Sequence, residues 1–161
     1  MQKRKRERRT VRKIIRIGEK TESKETVKSG SKLTKSLEEN IKILEDKFKN
    51  DGTVIFRRFQ NRYLPKAKCC IVFIEGMIDF KHINRQIIEP IMEQDLTNLS
   101  LSFNLLEDIK EKVLPVNDVE ESGDLEKILQ SICYGNTAFL IDGHDTALLV
   151  ESKGWEIRAI T

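Results

Sequence analysis

The sequence has few cysteines, and their placement excludes a disulfide framework. Only three occur, Cys69, Cys70 and Cys133, and two of them are adjacent inside an apolar run. A small secreted domain that depends on disulfides would carry an even set of spaced cysteines. We therefore expect reduced thiols that pack as small core residues, as is typical of a cytosol-like compartment.

The sequence also lacks the spacings of metal centres and of common catalytic sites. Its two histidines, His82 and His144, are far apart, and no C-x-x-C, H-x-x-x-H or H-E-x-x-H spacing occurs. A nucleophilic cysteine would need a polar loop and a basic neighbour, whereas Cys69 and Cys70 lie in an apolar segment. We expect no metal, no cofactor and no enzymatic activity.

Long hydrophobic runs are missing as well. No window approaches the roughly 20 apolar residues of a membrane-spanning helix, and no signal-peptide core follows the basic N-terminus. Aromatic residues make up only 6% of the chain, but 39% of it is hydrophobic and 34% is charged. This composition and the length of 161 residues predict one soluble globular domain with a tail.

What the sequence does have is a strong charge asymmetry. Residues 1–32 hold 13 of the 29 basic and 4 of the 26 acidic residues, net +9, so the remaining residues hold 16 basic and 22 acidic, net −6. Residues 1–32 have little to bury, which predicts disorder. Within them RRTVRKIIRI sets apolar residues at helical spacing among arginines, so attraction to an anionic membrane surface is an alternative. Nucleic-acid binding is a further alternative, which the acidic body disfavours.

The first half of the acidic body predicts a helix, two strands and a second helix. Residues 36–48 combine an S-x-x-E capping box with apolar positions at helical spacing. Residues 53–59 and 68–74 have the composition of strands, and the second of these is apolar at consecutive positions, so both its faces should be covered. The second helix is expected to start after Asp79 and to kink or end near Glu89, because a proline follows.

The second half of the body predicts two more helices and a run of strands. Helices are expected over 99–114 and over DLEKILQSICYG, with a polar link at 117–123 between them. The segments AFLI, ALLVE and WEIRAI, separated by turns, have the pattern of a β-meander. We therefore predict an α/β fold, with α+β as the alternative, in which a mixed sheet of about four to five strands is flanked by about three to four helices.

The stretch CCIVFIEGMIDF is the best candidate for a ligand site. A strand that enters a glycine turn and leaves as a helix is the architecture of many phosphate pockets. Here Gly76 stands alone where a dinucleotide turn needs several glycines, and Glu75 and Asp79 place negative charge where phosphate would bind. We therefore expect Asp79 to be a helix N-cap, with contact to a polar or cationic ligand as the alternative.

Two arginines and a tryptophan are candidates for an interface. Arg57 and Arg58 are adjacent in the first predicted strand, so their side chains should point to opposite faces of the sheet. One is expected to pair with an acidic residue such as Glu75 or Asp79, and the other to belong to a recognition surface. Trp155 is expected to cover the core or the sheet edge, or to anchor an interface if it is exposed.

Several short motifs follow one another from residue 33 to the end of the chain. They include N-I-x-x-L in the first helix, E-G-M-I-D, I-x-x-P-I-M, G-N-T, D-G and G-W-x-x-R. In this order they resemble the N-terminal soluble domain of the A subunit of GerA-type spore germinant receptors. Thr53 and the Cys-Cys pair depart from the family pattern. The matching residues are Asn40, Ile41, Leu44, Arg57 or Arg58, Glu75, Gly76, Met77, Ile78, Asp79, Pro90, Met92, Gly135, Thr137, Asp142, Gly143, Gly154, Trp155 and Arg158.

The resemblance implies that residues 33–161 are the first subdomain of the soluble region, on the cytoplasmic side of the inner membrane of a dormant spore. The family's A subunits assemble with a transporter-like B subunit, a lipoprotein C subunit and other A subunits, and nutrients trigger them. We expect a non-catalytic role in assembly and signal coupling, with small-molecule germinant binding as the alternative. The candidate ligand or interface residues are Arg57, Arg58, Glu75, Gly76, Asp79, Trp155 and Arg158.

Overall fold

The body is built on one antiparallel sheet. The structure, a computed structural model, describes residues 31–49, 51–99, 104–114 and 118–151, and from Lys32 onward these belong to one unit. The strands are β1 (Val54–Gln60), β2 (Lys68–Ile74), β3 (Val119–Ser122), β4 (Thr137–Ile141) and β5 (Ala147–Val150). Their spatial order is β1-β2-β4-β5-β3, and all four pairings are antiparallel.

The described residues include four helices, two of which contain a π-helical turn. Helix α1 is Leu37–Phe48 and helix α4 is Leu125–Tyr134. Helix α2 is α-helical at Phe80–Ile83, π-helical at Asn84–Ile88 and α-helical again at Glu89–Glu93; helix α3 is α-helical at Leu105–Asp108 and π-helical at Ile109–Val113.

Helices cover both faces of the sheet, which explains why β2 is apolar at consecutive positions. Cys69, Ile71 and Phe73 belong to one core cluster, together with the buried residues of α2 and α3. Cys70 and Val72 belong to a second cluster, together with those of α1 and α4. All five side chains are at most 4% exposed. The central strand therefore supplies both cores, and the sheet lies between two helical layers.

The start of α1 is tied to the turn between β4 and β5. Asp142 Oδ1, in that turn, accepts a hydrogen bond from the N–H of Leu37 at 3.0 Å. The amide of Asn40 is 1% exposed; it accepts from the N–H of Thr34 at 2.7 Å and donates to the carbonyl of the same residue at 2.8 Å. Asp142 and Asn40, two of the residues that carry the resemblance, thus hold the N-terminal turn of α1 in place.

The irregularity predicted near Glu89 takes the form of a π-helical turn, and α2 continues beyond it. Pro90 has no N–H to donate to the carbonyl of Gln86, and its ring would crowd that carbonyl in a regular α-helix. The π turn ends at Ile88, two residues before this proline. Asn84 Nδ2 donates to Glu89 Oε1 at 2.9 Å. The two residues are five apart, which is also the spacing of the i→i+5 hydrogen bonds of a π-helix.

The predicted sheet with flanking helices is confirmed, in its α+β form. The sheet is antiparallel throughout, whereas the sequence predicted a mixed one. The polar link expected at 117–123 contains strand β3, which the sequence analysis missed, and β3 pairs with β5. Within the described residues β5 thus has a neighbour on each side. The predicted WEIRAI strand and the basic tail lie outside the described residues.

Candidate functional site

The Gly76 turn links β2 to α2. The N–H of Met77 donates to the carbonyl of Ile74 at 3.3 Å, and Gly76, the third residue of this turn, has a φ of +88°. A positive φ at that position is what a type II turn requires, and glycine adopts it without strain. The N–H of Glu75 donates to the carbonyl of Thr53 at 2.7 Å, which fixes the turn to the start of β1.

Asp79 occupies the position that the sequence predicted for a helix N-cap. Its Oδ1 accepts from the N–H of Lys81 at 2.9 Å, and the backbone of Asp79 is extended. Its Oδ2 lies 3.9 Å from His82 Nε2. The carboxylate thus satisfies one of the free N–H groups at the start of α2.

Arg57 lies over an aromatic side chain that the sequence analysis did not single out. Its guanidinium carbon is 5.0 Å from the centroid of the Phe80 ring, which is the geometry of a cation–π contact. The Phe80 ring in turn lies 6.1 Å from that of Phe73. Phe80 is 38% exposed, whereas Phe73 is buried. We call Arg57, Glu75, Gly76, Asp79 and Phe80 together the Gly76 surface.

Arg58 lies on the other face of β1, as the alternation of strand side chains predicts. The register pairs Arg57 with Ile71 of one core cluster and Arg58 with Cys70 of the other. Arg58 Nη1 donates to a carboxylate oxygen of Glu38 on α1, and this contact raises the pKa of the arginine. One arginine thus pairs with an acidic residue as predicted, but the partner of Arg58 is Glu38 and not Glu75 or Asp79.

The other candidate residues divide into those outside the site and those outside the described residues. Trp155 and Arg158 are in the second group, so their predicted interface role stays a prediction. Cys69 and Cys70 are buried in the core as predicted, and burial raises the pKa of both thiols, that of Cys70 to about 12. The same prediction is wrong for Cys133, which is exposed. In the described part of the chain no three His, Cys, Asp or Glu side chains are grouped to hold a metal ion.

Asn61 is a structurally important residue that the sequence analysis missed. It is fully buried, and its Nδ2 donates to the carbonyl of Gln94 at 2.7 Å and also to that of Ile91 at the end of α2. Its Oδ1 accepts from the N–H groups of Tyr63 and Leu64 at 3.0 and 2.7 Å. Asparagine at the start of a turn is a sequence signal for the local bonds that its Oδ1 accepts. The bonds from its Nδ2 to the end of α2 are visible only in the tertiary structure.

Two cavities formed by described residues lie away from the Gly76 surface. One, of about 610 Å³, lies between the C-terminal end of α1 and the edge strand β1. The other, of about 300 Å³, lies beside β3 and the C-terminal end of α4. Neither is lined by a residue of the Gly76 surface.

Comparison with known proteins identifies the family of this chain. The family model described as Bacillus/Clostridium GerA spore germination protein matches residues 42–161. The match covers well over half of the chain, and the chain belongs to this family. The E-G-M-I-D turn and Asp142 lie within the matched residues, whereas Asn40 lies two residues before them.

Individual relatives support the same conclusion. The chain is 25% identical over 128 residues to spore germination protein KA of Bacillus subtilis, and 26% identical over 129 residues to the uncharacterized membrane protein YfkQ of the same organism. Both alignments cover 80% of this chain. They cover only 23% and 24% of the relatives, so the chain spans about a quarter of their length.

A solved structure shares the fold. It is the N-terminal domain of the A subunit of the Bacillus megaterium spore germinant receptor GerK3, with a TM-score of 0.67 and 25% identity. The match covers 76% of this chain and 48% of that one. This confirms the resemblance to the N-terminal domain of GerA-type A subunits. In the described part of this chain, no helix is both long and apolar enough to cross a bilayer.

Proposed function

We propose that this chain is a non-catalytic N-terminal part of a nutrient germinant receptor subunit and acts through protein contacts in receptor assembly and signal coupling. The observation that carries the proposal is the exposed stack of Arg57 on Phe80. Arginine and large aromatic side chains are the residues most enriched at the energetic centres of protein interfaces. A phenylalanine that is 38% exposed and already oriented by a neighbour would lose little conformational entropy on binding.

The shape of the Gly76 surface supports a protein contact over a buried small ligand. Small-molecule sites are usually concave and enclose most of the ligand surface. A Cβ placed on Gly76 would meet nothing within 4 Å, and neither cavity described above is lined by Glu75, Gly76 or Asp79. All five residues of the Gly76 surface are exposed, and an exposed surface is the form that protein partners recognise.

The expected partners are the B and C subunits of a germinant receptor and other A subunits. We place the domain on the cytoplasmic side of the spore inner membrane, in line with the family to which the chain belongs. The basic residues 1–32 would add attraction to an anionic membrane surface, worth about 1 kcal/mol for each lysine or arginine near the surface. Turnover of a substrate has no part in this proposal.

The test replaces Arg57 and Phe80 with alanine in the full-length receptor subunit. Because both side chains are exposed, the domain should fold normally, while the other receptor subunits should co-purify with the variant in reduced amount and nutrient-triggered germination should slow. Arg58→Ala is the matched control, since Arg58 is the adjacent arginine on the opposite face of β1. The proposal would be contradicted if the other receptor subunits co-purified equally with the wild type, with the variant at Arg57 and Phe80, and with the Arg58→Ala control.

The alternative function is germinant binding at the Gly76 surface, where Glu75, Asp79 and Arg57 would contact a polar ligand. This alternative predicts that amino acids, sugars or nucleosides raise the melting temperature of the chain at millimolar concentration. It also predicts that Asp79→Asn or Arg57→Ala abolishes the increase. The assembly proposal predicts no change in melting temperature with any of these compounds.

A further inference from the structure

The groove between the C-terminal end of α1 and the edge strand β1 combines an apolar floor with an acidic rim. Phe48 and Phe56 line its floor, and both are half-buried and packed against the core cluster of this sheet face. Three exposed carboxylates and one lysine complete the lining; they are Glu45, Asp46, Asp51 and Lys49. The lining therefore carries a net charge of −2 at neutral pH.

Several features keep the rim negative. The N–H and the hydroxyl of Thr53 donate to Asp51 Oδ1 at 3.0 and 2.6 Å, and these bonds lower the pKa of the Asp51 carboxyl. The C-terminal end of α1 adds the negative pole of the helix dipole. The nearby arginine, Arg58, is paired with Glu38, which offsets part of its charge, although it also attracts Glu45 of the rim.

We propose that this groove is a docking site for a cationic amphipathic segment of a partner protein. An apolar anchor side chain would lie on the two phenylalanine rings, and basic side chains beside it would meet the three carboxylates. The position next to β1 adds a second source of affinity. Within the described residues β1 pairs only with β2, and an extended segment that paired with its outer edge would add backbone hydrogen bonds.

Other ligand classes fit this groove less well. The carboxylates would repel the phosphates of nucleic acid and of anionic lipid. The groove is open to solvent, whereas a small-molecule site encloses its ligand. In the described part of the chain no cluster of metal-ligating side chains occurs, here or elsewhere. Charge and shape together therefore favour a basic, partly apolar peptide segment.

The test uses the full 161-residue chain, labelled with ¹⁵N, and a synthetic amphipathic peptide of lysine, leucine and tryptophan. The largest chemical-shift changes should occur at Phe48, Phe56 and their neighbours, and the affinity should fall with added salt. The double variant Glu45→Lys with Asp46→Lys should lose about tenfold or more in affinity. It should still fold, because lysines near a helix C-terminus are favourable.

The matched control reverses two exposed carboxylates on helices of the opposite sheet face, Glu93→Lys with Glu111→Lys. This variant has the same net charge as the groove variant and should lose less than about twofold in affinity, because its charges are distant and screened. Equal losses in the two variants would mean non-specific charge attraction and would overturn the proposal. So would the absence of peptide binding, or a groove variant that changes only the self-association of the chain.

Discussion

At the scale of single residues, one buried amide joins two parts of the fold. Asn61 contacts the end of α2 through its Nδ2 and closes the turn between β1 and β2 through its Oδ1. A buried donor or acceptor that loses its partner costs about 1–3 kcal/mol. Asn61 is thus a larger contributor to stability than its short side chain suggests.

We expect Asn61→Ala to lower the free energy of unfolding by about 3 kcal/mol, because several buried backbone groups lose their partners at once. Urea denaturation followed by circular dichroism measures the change. The control is Asn98→Ala at an exposed position, which should change the free energy of unfolding by less than about 0.5 kcal/mol. A loss below about 1 kcal/mol for Asn61→Ala would show that water replaces the amide.

At the scale of secondary-structure elements, α2 connects the Gly76 surface to the core. Its first residue, Phe80, is exposed on that surface, while Ile83, Ile87 and Ile91 are fully buried against the sheet. The N-cap Asp79 sets where the helix begins and therefore where Phe80 lies relative to Arg57. The stability of this helix start thus bears directly on the geometry of the proposed contact surface.

We expect Asp79→Ala to destabilise the chain by about 1 kcal/mol, the usual cost of losing an N-cap. Asp79→Asn should cost less than about 0.5 kcal/mol, since an asparagine oxygen accepts the same hydrogen bond. Glu75→Ala, at the neighbouring exposed carboxylate, serves as the control and should change stability little. If alanine and asparagine at position 79 were equally destabilising, the charge of Asp79 and not its capping bond would be the important feature.

Elements with strong local signals were predictable from the sequence, and those set by tertiary pairing were not. The unbroken apolar run of β2 predicted a strand covered on both faces, and Gly135 predicted the end of α4, where its φ is +108°. Strand β3, with the sequence VEES, has low strand propensity and exists through its pairing with β5. Its two glutamates suit an edge strand, where charge discourages further pairing.

At the scale of the whole molecule, the sequence predicted the position of the candidate surface but not its composition. The turn at Gly76, the cap at Asp79 and the opposite faces of Arg57 and Arg58 followed from local rules. The contact of Arg57 with Phe80 depends on the β1–β2 register and on the orientation of α2 against the sheet. A pattern of neighbouring residues carries no information about such a contact.

The central claim, that the Gly76 surface contacts another receptor subunit, is tested most directly by cross-linking from its exposed aromatic residue. Phe80 is replaced by the photoreactive amino acid benzoylphenylalanine in the full-length subunit, and spores are illuminated before the receptor is extracted. The same replacement at Tyr134, which is 60% exposed at the end of α4, is the control. We predict a cross-linked product with a receptor subunit from position 80 and far less from position 134. The absence of any such product from position 80, in spores that contain the folded subunit, would contradict the claim.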